Sequence, residues 1–224
     1  MLDFISSISI LIAALAFIAG VSAWKREFIG KRRIELAESV LALFYEAEDV
    51  IRQIRSLHSF EGEGSIRKRN SNELEEESRI LDRAYIVFER HKKREKLFAQ
   101  IHSMRYRVMA AFGTSAAEPF EELNKIICEI LLAARMLGNN YWQKQGRVEM
   151  VSVDFKKHLE EMRSYEAVFW CMDEDKDKIL PRVRKAVENI ESITQAAFVS
   201  EDKDSILGDV INDIRNFITK PKKI

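Results

Sequence analysis

Residues that interrupt helices are nearly missing from this chain. It has three prolines in 224 residues, none before Pro119, and eight glycines. Alternating apolar runs bounded by turn residues are equally scarce, which excludes a sheet-rich fold and predicts an all-α one. An excess of one charge is missing too: 36 lysines and arginines balance 36 aspartates and glutamates. No overall basic bias draws the chain to nucleic acid, and none is expected as a partner. Cysteine is limited to Cys128 and Cys171, too few for a disulfide framework, and both are expected to be free, buried thiols in a reducing compartment.

Short catalytic and ligand-binding motifs are absent as well. Asp173, Asp175 and Asp177 are spaced like the opening of a calcium loop. Such a loop needs glycine at its sixth position and a bidentate acid at its twelfth, where this chain has Lys178 and Arg184. His58, His91, His102 and His158 fall outside metal-binding spacings, and no C-x-x-C occurs. Gly62 and Gly64 lack the spacing and the lysine of a phosphate loop, and Glu61 and Glu63 beside them repel phosphate. The acidic cluster Glu73, Glu75, Glu76 and Glu77 lacks the Glu-x-x-His partner of a di-metal bundle. No enzymatic activity, cofactor or metal is therefore expected.

What the chain does have is one long hydrophobic run. Phe4 to Ala23 contains no charge and no proline and ends at Trp24, Lys25 and Arg26. As a helix these about 20 residues measure roughly 30 Å, the hydrocarbon thickness of a bilayer, so a single-pass transmembrane helix is predicted. Val21-Ser22-Ala23 has the small-residue spacing of a signal-peptidase site, but a signal peptide carries its positive charge before the run. Here Asp3 precedes it, and Lys25, Arg26, Lys31, Arg32 and Arg33 follow. Positive charge stays in the cytoplasm, which predicts a short N-terminus outside and a cytoplasmic C-terminal domain. Trp24 with those five basic residues forms a membrane-interface collar, to which Arg105 and Arg107 are expected to return, and an anionic lipid is its candidate ligand. Ser6, Ser9, Ala13, Ala16, Gly20 and Ala23 recur every three or four residues, a small-residue seam of the kind that lets two helices approach in lipid.

Helical periodicity continues past the run, through Glu27, Gly30, Ile34, Ala37, Leu41, Phe44, Glu48 and Ile51. It predicts one helix from Phe4 to about Leu57, a loop over Phe60 to Asn72, and a second long helix from an Asn72 cap to Gly113. The two should form an antiparallel, coiled-coil-like hairpin. Setting His58 opposite Glu73 places Arg52 and Arg55 near Glu75, Glu76 and Glu77, and Glu35 and Glu38 near Lys93, Arg94 and Lys96. A third helix follows from Ser115 and Pro119 to Leu137, then a loop holding an exposed or half-exposed Trp142. A fourth helix spans about Val153 to Cys171, and a fifth starts near Pro181. Ser205 caps a short amphipathic helix carrying Leu207, Val210, Ile211, Ile214, Phe217 and Ile218, before Pro221 and a basic tail.

The expected organisation is an anchor at 1–24, a hairpin at 25–112, a smaller bundle at 113–200 and an amphipathic C-terminal helix at 201–224. This suits a membrane-anchored interaction or scaffold protein that presents a cytoplasmic bundle to a protein partner or to a second copy of itself. The alternative is a signal-transmitting or anionic-lipid-responsive membrane protein. An enzyme whose site is assembled only in the fold is the third reading.

Overall fold

A computed structural model describes residues 2–145, 151–172 and 176–199, with side chains outside 2–9, 11, 152, 153 and 199. The described structure is all helical: α1 Leu2–Ile54, α2 Glu75–Lys93, α3 Glu95–Phe112, α4 Glu118–Met136, α5 Ser152–Phe169 and α6 Leu180–Val199. A 3-10 turn, Thr114–Ala117, precedes α4, and a π turn, Leu137–Tyr141, follows it. The C-terminal amphipathic helix expected from Ser205 lies outside the described residues. So do Asp173 and Asp175 of the calcium-like sequence.

The chain divides into two compact units. One joins Met1–Glu38 to Thr194–Ile224, and the other is Ser39–Ile193.

Within the second unit, the last turns of α1 form a core helix. Val40, Phe44, Ala47, Ile51 and Ile54 are spaced at four, three, four and three residues and are almost wholly buried. The Phe44 ring meets Phe120 of α4 edge to face at 5.0 Å. The expected seam is corrected by rotation: Leu41 and Glu48 are only half-buried, and Leu43 and Val50 fill the core beside Phe44 and Ile51. Glu48 faces outward to Arg52 at 3.1 Å and Arg184 at 3.5 Å. The hydroxyl of Tyr45 donates to Glu191 at 2.6 Å.

The expected hairpin register is also corrected. Arg90, not the Glu75–Glu77 cluster, faces the end of α1. Its guanidinium donates to the carbonyls of Gln53 and Ile54 (3.3 Å each), Ser56 (2.9 Å) and His58 (2.6 Å). These include orphan carbonyls of the α1 C-terminus, which lack partners inside the helix. Glu75 pairs instead with Arg79. The cause is the loop, which does not swing free but runs back along α2. Glu63 pairs with Arg90, the Gly64 N–H donates to Glu89 at 2.8 Å, and Arg67 bridges Glu73 and Asp82. The loop thus packs along α2 and takes up Glu73, Asp82, Glu89 and Arg90.

The single second helix is broken at Arg94, whose backbone (φ −113°, ψ 12°) closes α2 by an N–H bond to the His91 carbonyl. No glycine or proline marks this point. It is where Arg90 and Arg94 both turn toward Gln53, so tertiary contacts override local propensity. The Asn72 cap is not used: α2 begins after Leu74, with no side-chain cap. Gly113, at φ +100°, ends α3 where expected.

Three chain segments meet at one buried ion pair. Arg55 is 0 % exposed, and its guanidinium donates to Asp177 at 2.9 Å and to the carbonyls of Val168 (2.7 Å), Ala167 (3.1 Å) and Trp170 (2.6 Å). Asp177 Oδ1 also accepts the N–H groups of Ile179 (2.8 Å) and Leu180 (2.9 Å), and Oδ2 accepts that of Met172 at 3.1 Å. Asp177 therefore caps the start of α6 while Arg55 holds the end of α5. Every strong polar group of the pair is satisfied, as burial of charge requires.

Both cysteines are free, but Cys128 is exposed rather than buried. Ile126, Ile127 and Ile130 occupy the inward stripe of α4 and turn Cys128 to the opposite side. Cys171 is half-buried, and burial pushes its thiol up against the partly offsetting charge of Arg55. A thiol reacts as its thiolate. Ellman-type titration at neutral pH should label Cys128 in a fast phase and Cys171 in a slow one, and the Cys128→Ser variant should lose the fast phase. Equal rates would contradict the burial of Cys171.

Candidate functional site

The first unit carries the most unusual surface. Along α1, Ile10 is 71 % exposed, Phe17 73 % and Trp24 65 %. Ile12, Leu15, Ile18, Val21, Phe28 and Ile29 are exposed as well. At 100° per residue these side chains spread over about two thirds of the helix circumference and leave the rest to the small residues Ala13, Ala16, Gly20 and Ala23, whereas a surface helix keeps one narrower apolar stripe. Toward Glu38 the character changes, and Leu36 and Ala37 are buried. In the same unit, Thr194 and Ala197 of α6 are buried too.

The charged end of this surface has its own geometry. Trp24 and Phe28 stack at 5.7 Å with 25° between their planes, and the Arg32 guanidinium lies 5.3 Å over the Phe28 ring. These three residues, four apart, make a ladder in which aromatic faces lead to a cation. Lys31 pairs with Glu27 at 2.7 Å and holds that carboxyl below its usual range. Lys25, Arg26, Arg32 and Arg33 are exposed around it. The structure thus brings Trp24 and Arg32 of the expected collar together through Phe28, a residue the sequence reading passed over. It also accounts for Arg105, which pairs with Glu121 at 2.9 Å.

Among the described residues no helix is long and apolar enough to cross a membrane. Of the small-residue seam, Ala13, Ala16 and Gly20 are exposed and Ala23 is half-buried. A Cβ added at Gly20 would meet nothing within 4 Å. Ser6 and Ser9 lie outside the described side chains.

The second unit holds a feature invisible in the sequence. Trp142, expected to be exposed or half-exposed, is 8 % exposed. It packs edge to face on Phe169 at 5.3 Å and donates its indole N–H to Glu166 at 2.9 Å. Arg83 lies 5.0 Å over its ring and 5.4 Å over Trp170. The π turn tucks the chain inward: a Cβ on Gly138 would sit 2.7 Å from the Ala84 side chain, so glycine permits this close approach to α2. Next to it, burial and then the Glu161 bond push the Tyr141 hydroxyl up to about 12. No group of three metal-ligating side chains occurs among the described residues.

No family model, curated protein or solved structure matches the chain.

Proposed function

We propose that this chain is a membrane-anchored helical interaction protein, with α1 as a single-span anchor and the second unit as a cytoplasmic scaffold for a protein partner. The observation that carries the reading is the exposure of large apolar side chains from Ile10 to Ile29 over about two thirds of the helix circumference, with small residues on the rest. Burying Ile10, Ile12, Leu15, Phe17, Ile18 and Val21 in lipid is favourable by on the order of 10 kcal/mol at about 1.5–3 kcal/mol per side chain. A helix that is apolar all round is a buried core element or a membrane span. The Trp24–Phe28–Arg32 ladder supports the same reading, since aromatic rings and a neighbouring cation suit the headgroup boundary. Lys25, Arg26, Arg32 and Arg33 after the run favour a cytoplasmic second unit.

A second reading, response to anionic lipid, is favoured by the same ladder. Each exposed juxtamembrane cation gains about 1 kcal/mol near a negative leaflet. Lys31 adds less because Glu27 holds it.

Alkaline carbonate washing of membranes from cells expressing a C-terminally tagged chain tests the anchor. The full chain should stay in the pellet, and a chain lacking residues 2–23 should move to the supernatant. Protease added to sealed vesicles of known sidedness should reach the tag from the cytoplasmic face. A full chain that washes out would sink the anchor.

A further inference from the structure

The loop between α1 and α2 is fixed in place yet offers its apolar side chains to water. Phe60 is 84 % exposed, and Leu57 and Ile66 on the same loop are exposed too. The loop is held by Arg90 through the carbonyls of Ser56 and His58 and through Glu63, by the Gly64 N–H on Glu89, and by Arg67 on Glu73 and Asp82. A surface ordered in advance loses little entropy on binding. Beside Phe60 lies a crevice of about 410 Å³, with Val50 and Ile54 among its lining residues and Lys93 and Arg94 on the charged side.

The charges there do not cancel for an incoming group. Glu63 gives both carboxylate oxygens to Arg90. Glu89 is taken by the Gly64 N–H and by Lys93. Arg94 makes no ion pair among the described residues and reaches only Gln53 Oε1, at 3.4 Å. An exposed guanidinium beside a crevice that Val50, Ile54 and Phe60 line matches a carboxylate next to a large apolar side chain, because its fork donates two parallel hydrogen bonds to a carboxylate.

The geometry points to this crevice as a docking surface for a protein segment carrying Asp or Glu beside a large apolar residue. Phe60 is the apolar anchor and Arg94 the carboxylate clamp. The assignment rests on the reading of the second unit as the partner-binding part, and it names the surface and the chemistry of the partner.

The test is selection of random displayed peptides on the full chain in nanodiscs, followed by dissociation constants for the enriched peptides. Enriched sequences should place an acid next to Leu, Ile, Phe or Trp. Phe60→Ala should weaken them at least about tenfold, as removal of a central aromatic anchor does. Arg94→Glu should abolish their binding and restore it for peptides with Lys in place of the acid. Phe60 and Arg94 are both exposed, and because Arg94 also meets Gln53 at the end of α2, circular dichroism and unfolding midpoints of both variants should match the parent chain. Enriched peptides without an acid, peptides indifferent to both substitutions, or no enrichment would each overturn the proposal. The carbonate wash reads the anchor separately: a chain that washes out yet binds such peptides would lose the membrane reading and keep this one.

Discussion

Asp177→Asn should lower the stability of the second unit by about 3–5 kcal/mol, the usual loss when one partner of a buried ion pair is removed. Asparagine keeps a side-chain oxygen for the N–H groups of Ile179 and Leu180, so the helix cap survives. What is lost is the negative charge facing Arg55, which is 0 % exposed, and the acceptor of the Met172 N–H, since the amide nitrogen replaces Oδ2. Since single domains have about 5–15 kcal/mol in total, the variant should populate unfolded chain at modest denaturant. Urea unfolding of the full chain in detergent, followed by tryptophan fluorescence, measures this directly, because Trp142 and Trp170 lie in the same unit. The double variant Arg55→Met, Asp177→Leu should be no milder than Asp177→Asn, because it strands the N–H groups of Met172, Ile179 and Leu180 and the carbonyls of Ala167, Val168 and Trp170. A loss under about 1 kcal/mol for the single variant would contradict the buried latch.

The same residue sets an acid limit. Burial alone would raise the Asp177 carboxyl, but the Arg55 bond and the backbone N–H groups of Leu180 and Ile179 outweigh it and hold the group below its ordinary range. A carboxyl whose folded value is depressed contributes fully above its unfolded value, about 3.9, and loses that contribution as pH falls through the folded one. Wild-type stability should therefore drop below about pH 4. This component should be missing from the Asp177→Asn profile.

Much of the architecture is legible in the sequence because apolar spacing in a helix is a local property. Phe44 and Ile51, Ile127 and Ile130, and Val183 and Ile190 lie on faces that periodicity alone picks out, and they are buried. Gly62 and Gly64 mark the loop, and Gly113 the end of α3. Register was not legible, because charge matching between neighbouring segments presumes that neighbours pair. Arg55 finds Asp177 across 122 residues, and the loop packs along α2. The break at Arg94 has no local mark. Cys128 and Trp142 were misplaced for one reason: a single residue's direction depends on helix phase and on the turn after α4, and neither shows in composition. The exposed face of α1 was legible as an apolar run. The crevice at Phe60 was not, since it needs Arg90 to pin the loop.

Gly64→Ala should cost far more than Gly62→Ala, although the two glycines lie two residues apart in one loop. Both have positive φ, +82° at Gly62 and +85° at Gly64, so alanine at either position is strained by about 1–2 kcal/mol. Their surroundings separate them. A Cβ at Gly62 would meet only Ser65 Oγ, at 3.9 Å, in ordinary contact. At Gly64 it would fall 2.0 Å from the backbone oxygen of Asp82 and 3.1 Å from Ile86, and a helix backbone cannot move aside as a side-chain tip can. The loop must lift, taking the Gly64 N–H off Glu89, for a total of about 3–5 kcal/mol when strain and overpacking are added. Denaturant midpoints should show this difference, and limited proteolysis should cut the loop of Gly64→Ala while sparing that of Gly62→Ala. Equal losses would mean that the loop is not seated on α2. The comparison also bears on docking: Phe60→Ala removes the anchor from an ordered loop, whereas Gly64→Ala keeps Phe60 and removes the order. If ordering in advance supplies part of the affinity, Gly64→Ala should weaken acidic-apolar peptides with Phe60 still in place.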